Sequence, residues 1–149
     1  MMIYVDADAC PVKEQIYRAA ARYGLPVTVV ANGFMRVPPA GVELVLVGPA
    51  PDAADDWIAA RARAGDLVLT ADVVLAARAL EAGAACLDFR GGEFSERTIG
   101  DAVAARDLHR YLRDLGELSG GPPAFSPRDR SRFASKLDAV LNRLQRAAR

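Results

Sequence analysis

Short apolar runs alternate with stretches of helical spacing along residues 2–89, and this pattern restricts the fold more than any other property of the chain. The runs are rich in Val, Ile and Leu, and Gly, Pro or Asp bounds most of them. They predict strands at residues 2–6, 27–31, 42–48, 67–70 and 85–89. Because strands that alternate with helices form parallel sheets, the sequence predicts an α/β fold: a central, mainly parallel sheet of about five strands, with helices on both faces.

Helical spacing and end signals place helices between and after these strands. The first is expected to begin at Pro11 and end at Gly24, since proline suits a first helical position and glycine a helix end. The last is expected to begin at Pro127 behind a Ser126 cap and to run to about residue 146. The others are expected at 52–65, 72–82 and 96–115. One side of the helix at 96–115 carries the apolar residues Ile99, Val103, Leu108, Leu112 and Leu115.

Composition suits one globular domain but does not point to a partner. The 149 residues are 52% hydrophobic and carry zero formal net charge, so nothing global indicates nucleic acid or a membrane. The charge is unevenly spread, because residues 1–100 carry 13 acidic and 9 basic side chains and residues 101–149 carry 6 and 10. This division predicts an anion-binding surface beside an acidic site.

Neither targeting signals nor cysteine spacing suggests a special compartment. No segment resembles a signal peptide, and no apolar run is long enough to cross a bilayer, so we expect no membrane partner. Cys10 and Cys86 fit no metal or redox spacing, and the only histidine, His109, belongs to no plausible nucleophile triad. The cytoplasm is the predicted location.

Acidic residues follow several of the predicted strands. Asp6 and Asp8 follow the first strand, Thr70 and Asp72 follow the fourth, and Asp55 opens the helix after the third. The carboxyl ends of parallel strands meet at one edge of a sheet, so we expect these groups to lie together. Crowded carboxylates repel one another unless a cation joins them, and Mg²⁺ or Mn²⁺ prefers such oxygen ligands. The expected chemistry is metal-assisted phosphoryl hydrolysis.

The same residues have structural interpretations. Asp52 is better explained as a helix cap than as a ligand, Asp72 could cap the helix that follows it, and Asp66 could simply start a strand. Asp6 comes too early to cap a helix, so this interpretation explains it least. The basic segment RDRSR at 128–132 fits a solvated helix face or a surface for nucleic-acid phosphates.

A series of short motifs resembles the YaiI/YqxD family of small bacterial proteins along essentially the whole chain. They are VDADACPVK at 5–13, VAN at 30–32, DAADDWI at 52–58, GDLVLTAD at 65–72, Leu-Ala at 75–76, RG at 90–91, GGP at 120–122, and DR with Phe133 at 129–133. The family looks like part of the PIN-like group of nucleases. The resemblance implies a single PIN-like three-layer domain over 1–149, with a core at about 1–92 and a C-terminal helical part at about 95–147.

The resemblance also implies a set of site residues. Asp6, Asp55 and Asp72 match the places where PIN-like nucleases hold Mg²⁺ or Mn²⁺, and Asp8 and Asp66 would bind a second ion or hold metal waters. The implied catalytic residues are Asp6, Asp8, Asp55 and Asp72. Thr70 would orient a carboxylate or water beside the substrate. The residues expected to contact substrate phosphates are Lys13, Arg128, Arg130 and Arg132.

The leading hypothesis is therefore a metal-dependent ribonuclease, with RNA as its partner. One alternative is a non-catalytic PIN-like module that binds RNA or protein and uses its aspartates as caps and as a structural ion site. Another is a metal-dependent phosphatase acting on small phosphate esters. DADAC at 6–10 resembles the D-x-D-x-T/V loop of haloacid-dehalogenase-like phosphatases, except that Cys10 stands where that loop has Thr or Val.

Overall fold

Six strands form a single sheet in the computed structural model, which describes residues 1–121 and 123–148. The strands are β1 (Ile3–Asp6), β2 (Val27–Ala31), β3 (Val42–Leu46), β4 (Leu67–Leu69), β5 (Ala85–Leu87) and β6 (Glu93–Phe94). Their order across the sheet is β3-β2-β1-β4-β5-β6. Neighbours from β3 to β5 are parallel, and β6 pairs antiparallel with β5. Pro122, the last residue of the GGP motif, and Arg149 lie outside the described residues.

Helices cover both faces of the sheet. They are α1 (Lys13–Tyr23), α2 (Ala53–Ala59), α3 (Val73–Glu81), α4 (Ile99–Asp114) and α5 (Pro127–Ala147). Helices α1 and α5 share one hydrophobic core with the sheet, while α2 and α3 share the other, and α4 packs on α3. This arrangement confirms the predicted three-layer α/β fold. Across the part of the chain that is described, no helix is both long and apolar enough to cross a membrane.

Alternation along the central strands explains why both faces are covered. In β1, Ile3 and Val5 lie in the core beneath α1 and α5, whereas Tyr4 lies in the core beneath α2 and α3. Successive side chains of a strand point to opposite faces, so an uninterrupted apolar strand needs a helical layer on each side. All five residues of β2 are buried for the same reason.

The strand order reverses beside β1. From β1 the chain builds outward through β2 to β3, then returns to place β4 on the other side of β1, followed by β5. A crevice forms at the carboxyl ends of the strands where such an order reverses, and α/β proteins commonly bind ligands there. The residues that follow β1 and β4 therefore become neighbours, although they are more than 60 positions apart in the sequence.

Several predicted boundaries need correction. Helix α1 begins at Lys13 and not at Pro11, because a turn that includes a hydrogen bond from Cys10 N to Ala7 O occupies the residues before it. Helix α2 ends at Ala59 and not near Gly65, since a tighter turn from Arg61 N to Ile58 O follows it. The expected count of about five strands missed the two-residue β6.

The two C-terminal helices differ in how well the sequence predicted them. Helix α5 begins as expected: the Ser126 hydroxyl accepts from Asp129 N at 3.1 Å, and the Asp129 carboxylate accepts from Ser126 N at 3.0 Å. The apolar residues expected on one side of α4 are at most half-buried. Leu108 and Leu115 are 55% and 57% exposed, so α4 adds little to the core.

Truncating Phe133, which α5 buries completely under the sheet, should destabilise the protein strongly. We expect Phe133→Ala to lower the free energy of unfolding by about 3–5 kcal/mol, because it removes a core aromatic and leaves a cavity. Leu108→Ala is the control, and it should change the free energy by no more than about 0.5 kcal/mol. Urea denaturation measures both variants. Similar losses for the two would contradict this assignment of the core.

Candidate functional site

Asp6 is the last residue of β1, and the neighbouring strand fixes its carboxylate. The hydroxyl of Thr70 donates a 2.7 Å hydrogen bond to Asp6 Oδ2. Burial raises the pKa of Asp6, the charges of Asp72 and Asp8 raise it further, and the bond from Thr70 acts in the opposite direction. This carboxylate is therefore held in one orientation in a place that disfavours its charge.

Thr70 links the two strands at the point where the strand order reverses. It follows β4, is fully buried, and accepts a 2.9 Å hydrogen bond from Asp72 N while donating to Asp6. Its hydroxyl is thus engaged on both sides. Such bonds are what an orienting role toward a carboxylate requires, but direct contact between Thr70 and a substrate does not fit a side chain with no exposed surface.

Asp72 caps helix α3. Its Oδ1 accepts hydrogen bonds from Val74 N at 2.8 Å and Leu75 N at 3.3 Å, so the capping interpretation of this residue is correct. Capping occupies only one carboxylate oxygen. Asp72 also lies close enough to Asp55 and Asp6 to raise their pKa values. Asp72 therefore both caps α3 and interacts with the two other acids.

Asp55, in the first turn of α2, completes a group of interacting carboxylates. Burial raises the pKa of Asp55 to about 7, with further contributions from a hydrogen bond to the Asp72 carboxyl group and from the charges of Asp72, Asp6 and Asp52. Asp6, Asp55 and Asp72, here named the acid cluster, thus come together from β1, α2 and the start of α3. The position of these acids relative to the predicted strands and helices indicates this grouping from the sequence.

The acid cluster suits a divalent cation in its chemistry. Hard cations such as Mg²⁺ and Mn²⁺ prefer carboxylate oxygens, and a cation would offset the repulsion that raises the pKa values of Asp6 and Asp55. Within residues 1–121 and 123–148, however, no three or more acidic, His or Cys side chains are already arranged as a ligand set. The acids interact, but they do not converge on one point.

Asp8 has a partner that sequence analysis did not assign. The exposed Asp8 carboxylate accepts hydrogen bonds from Asn32 N at 3.1 and 3.2 Å, and the Asn32 side-chain amide also donates to it when its nitrogen faces Asp8. Asn32 directly follows β2, so the signal was a polar residue at the end of a predicted strand within the VAN motif. Asp8 therefore lies at the same edge but is held toward β2.

Asp66 lies at the opposite edge of the sheet, which corrects the expectation that it joins the metal site. It is buried just before β4, and its carboxylate accepts hydrogen bonds from Met2 N at 3.0 Å and Arg63 N at 3.1 Å. These bonds satisfy backbone groups at the amino ends of β1 and β4. The structural interpretation, in which Asp66 starts a strand, describes its contacts.

The basic residues expected to contact phosphates differ in their surroundings. The Lys13 ammonium donates to Cys10 O at 3.1 Å at the start of α1. The Arg132 guanidinium lies 4.0 Å from Asp129, and that of Arg130 lies 5.5 Å from the ring centre of Phe125. Arg128, in the first turn of α5, is exposed. Arg130 and Arg128 are therefore the better placed of the arginines to meet an anion in solvent.

A cavity of about 510 Å³ opens beside the acid cluster. The wall nearer the acid cluster is formed by residues that come after β1 and β4 in the sequence: Ala9, Pro11, Ala71 and Val73. The far wall is formed by residues after β5, in β6 and before α5: Asp88, Phe89, Arg90, Phe94 and Phe125. No sequence motif indicates this cavity, because its aromatic residues come from separate parts of the chain.

Asp88 and the cysteines do not add reactive groups to the acid cluster. Asp88 Oδ1 accepts from Arg90 N and Gly92 N, both at 2.8 Å, and so closes the turn between β5 and β6. Cys10 and Cys86 are buried, and burial raises their pKa values to about 11 and about 12. Both thiols are therefore protonated near neutral pH and poor nucleophiles.

Comparison with known proteins identifies close relatives of the chain. The family model described as "Uncharacterized BCR, YaiI/YqxD family" matches residues 4–143. A UPF0178 protein from Rhodopseudomonas palustris strain BisB18 is 56% identical over 146 residues, covering 97% of this chain and 94% of the relative. A UPF0178 protein from Caulobacter sp. strain K31 is 49% identical over 150 residues and covers 99% of both chains. No solved structure matches the chain significantly.

Replacing Asp55 should stabilise the metal-free protein in a pH-dependent way. Because the pKa of Asp55 is raised to about 7, the folded state retains a proton that the unfolded chain has lost, and stability falls as pH rises from about 4 to 7. We expect Asp55→Asn to raise the free energy of unfolding at pH 8 by about 1–2 kcal/mol, after allowance for solvent screening, and to change it little at pH 4.

Urea denaturation in a chelator at both pH values measures this effect. Asp56→Asn is the matched control, since Asp56 lies one position along the same helix and its exposed carboxylate pairs with Arg78 at 2.7 Å. It should give no gain at pH 8. A stabilisation by Asp55→Asn of equal size at pH 4 and pH 8 would contradict the raised pKa.

Proposed function

We propose that this chain, which belongs to the YaiI/YqxD family, is a divalent-metal-dependent nuclease that hydrolyses RNA phosphodiesters at the acid cluster. The observation that carries the proposal is the interaction of three carboxylates from separate elements near the carboxyl ends of β1 and β4, where burial and neighbouring acids raise the pKa of Asp55 to about 7. Carboxyl groups whose pKa values are shifted from the usual range, when they lie together, are typical of functional sites. The proposal includes the PIN-like class of the domain and the cytoplasmic location expected from the sequence.

Asp6, Asp55 and Asp72 are the residues that would hold Mg²⁺ or Mn²⁺. When bound, such a cation makes water a better nucleophile and stabilises negative charge on a phosphodiester. The protein's own part is to hold the carboxylates in place. Thr70 fixes Asp6 through its 2.7 Å hydrogen bond, and the cap of α3 fixes Asp72 through Val74 N. Preformed contacts of this kind reduce the reorganisation needed when a ligand binds.

Asp8 and the basic residues would act around this centre. Asp8, held by Asn32, adds negative charge near Asp6 and is available for metal-bound water. Lys13, at the start of α1, and the exposed Arg128 and Arg130, at the start of α5, would contact phosphates of the substrate. Asp66 has no part in this proposal, because its carboxylate is occupied at the other edge of the sheet.

Removing the Asp6 carboxylate should abolish both metal binding and cleavage. We expect Asp6→Asn to lose the heat of Mn²⁺ binding in calorimetric titration and to stop cleavage of a single-stranded RNA, while the fold is retained. Asn can still accept the hydrogen bond from Thr70, so the local structure should survive. Asp56→Asn, an exposed carboxylate on α2, is the control and should retain both properties.

Each outcome of this experiment has a distinct meaning. Cleavage retained by Asp6→Asn would contradict the role of the acid cluster. Hydrolysis of nitrophenyl phosphate without cleavage of RNA would indicate a phosphatase. RNA binding that is unaffected by a chelator, with no cleavage of any substrate, would indicate a non-catalytic module.

The arginines at the start of α5 should control the salt dependence of RNA binding. We expect Arg128→Gln and Arg130→Gln together to weaken binding and to reduce the slope of log K against log salt by about 0.7 per lost contact. Arg146→Gln is the matched control, because Arg146 is exposed in the last turn of the same helix. Fluorescence anisotropy with a labelled single-stranded RNA measures the binding of the double variant and of the control. An equal effect of Arg146→Gln would contradict a localised phosphate contact.

A further inference from the structure

The cavity of about 510 Å³ lies next to the acid cluster, although none of the three acids lines it. Ala71 and Val73 line it from either side of Asp72, and Ala9 lines it next to Asp8. The volume is in the range of pockets that hold small molecules or parts of larger ligands, about 300–1,000 Å³. A ligand that fills the cavity would therefore lie next to the backbone that carries Asp72 and Asp8.

Aromatic side chains form the far wall. Phe89 follows β5 and is 5% exposed, while Phe94 of β6 and Phe125 before α5 are half-buried at the rim. The rest of the lining is mostly small and apolar. Single-stranded nucleic acids are commonly held by stacking of a base on aromatic faces, which tolerates different bases because each has a π-face.

Contacts on three sides hold Arg90 at the rim. Its guanidinium donates to Asp129 at 2.8 Å and to Pro123 O at 2.5 Å, and it lies 5.6 Å from the ring centre of Phe125. These bonds fix the segment before α5 over the cavity. They also pair the charge of Arg90, so the guanidinium offers a flat surface for stacking more than a free charge for an anion.

The charges around the cavity disfavour an anionic occupant. Asp88 lies in its lining, the acid cluster lies beside it, and Asp129 neutralises the only cationic residue in the lining that the structure describes. A phosphate would meet repulsion there. A neutral planar ring with apolar faces and a polar edge fits both the walls and the charge.

From this juxtaposition of an aromatic cavity and the acid cluster, we propose that the cavity binds one unpaired nucleobase of a single-stranded RNA. The inference rests on the proposed nuclease function and adds to it a binding subsite: a pocket for one accessible base beside the acid cluster. A base paired in a duplex would not enter, because its faces are already stacked and its edge is already bonded.

The test uses the full chain carrying Asp6→Asn, in a chelator, so that binding is measured without cleavage. The probes are single-stranded RNA hexamers with 2-aminopurine at one position, read by quenching, and the same hexamers with an abasic site at that position. We expect the best 2-aminopurine position to be strongly quenched. An abasic site there should weaken binding by about tenfold, as loss of one stacked base does.

Phe125→Ala should produce a similar loss, and Phe125→Trp should restore binding because a large ring is returned to the same wall. Phe34→Ala is the control, since Phe34 is 82% exposed and does not line the cavity. The abasic probes need no substitution in the cavity, so they test the proposal even where Phe125→Ala unfolds. Equal binding of abasic and intact hexamers at every position would overturn it, as would strong binding of duplex RNA.

Failure of this inference and failure of the nuclease proposal give different results. Metal-dependent cleavage by the wild-type protein, with no effect of abasic sites, would keep the nuclease and reject the base pocket. Base-dependent binding in the chelator, with no cleavage under any metal, would keep the base pocket and reject the nuclease.

Discussion

The site depends on one buried hydrogen bond, from the hydroxyl of Thr70 to Asp6. Thr70 is fully buried, so its hydroxyl needs partners within the protein, and it finds them in the Asp6 carboxylate and the backbone of Asp72. This single side chain therefore ties the end of β1 to the start of α3. Apolar replacement of Thr70 would leave Asp6 half-buried without its donor, a loss larger than that of an exposed contact.

The same arrangement lowers the stability of the fold near the carboxyl ends of the strands. Burial and the charges of neighbouring acids raise the pKa values of Asp6 and Asp55, so ionisation of either carboxyl group costs stability in the folded protein. The cost is offset elsewhere, by cores on both faces of the sheet and by the capping box that starts α5. Locally unfavourable groups that the rest of the fold supports are a common property of functional sites.

The C-terminal helix does more than cover the sheet. Phe133, Leu137 and Leu141 of α5 complete the core beneath β1, and Asp129 at its start binds Arg90 beyond β5. The salt bridge that helps fix α5 thus also shapes the rim of the cavity beside the acids. Packing of α5 and formation of the cavity are therefore linked, and the basic residues at 128–132 reach this edge because of that packing.

The sequence by itself determined the succession of strands and helices, the mainly parallel sheet and the positions of Asp6 and Asp72 just after strands, because apolar periodicity and the end signals of elements are local properties. Only the tertiary structure decided the rest. The sequence allowed Asp66 to be either a metal ligand or the start of a strand, and the hydrogen bond that it accepts from Met2 N shows the second, at the amino ends of the strands. Asn32 ends a predicted strand, but its bond to Asp8 joins residues 24 positions apart, and the bond from Arg90 to Asp129 joins residues 39 apart. These contacts, like the cavity that Phe125 lines, form only when distant segments pack together.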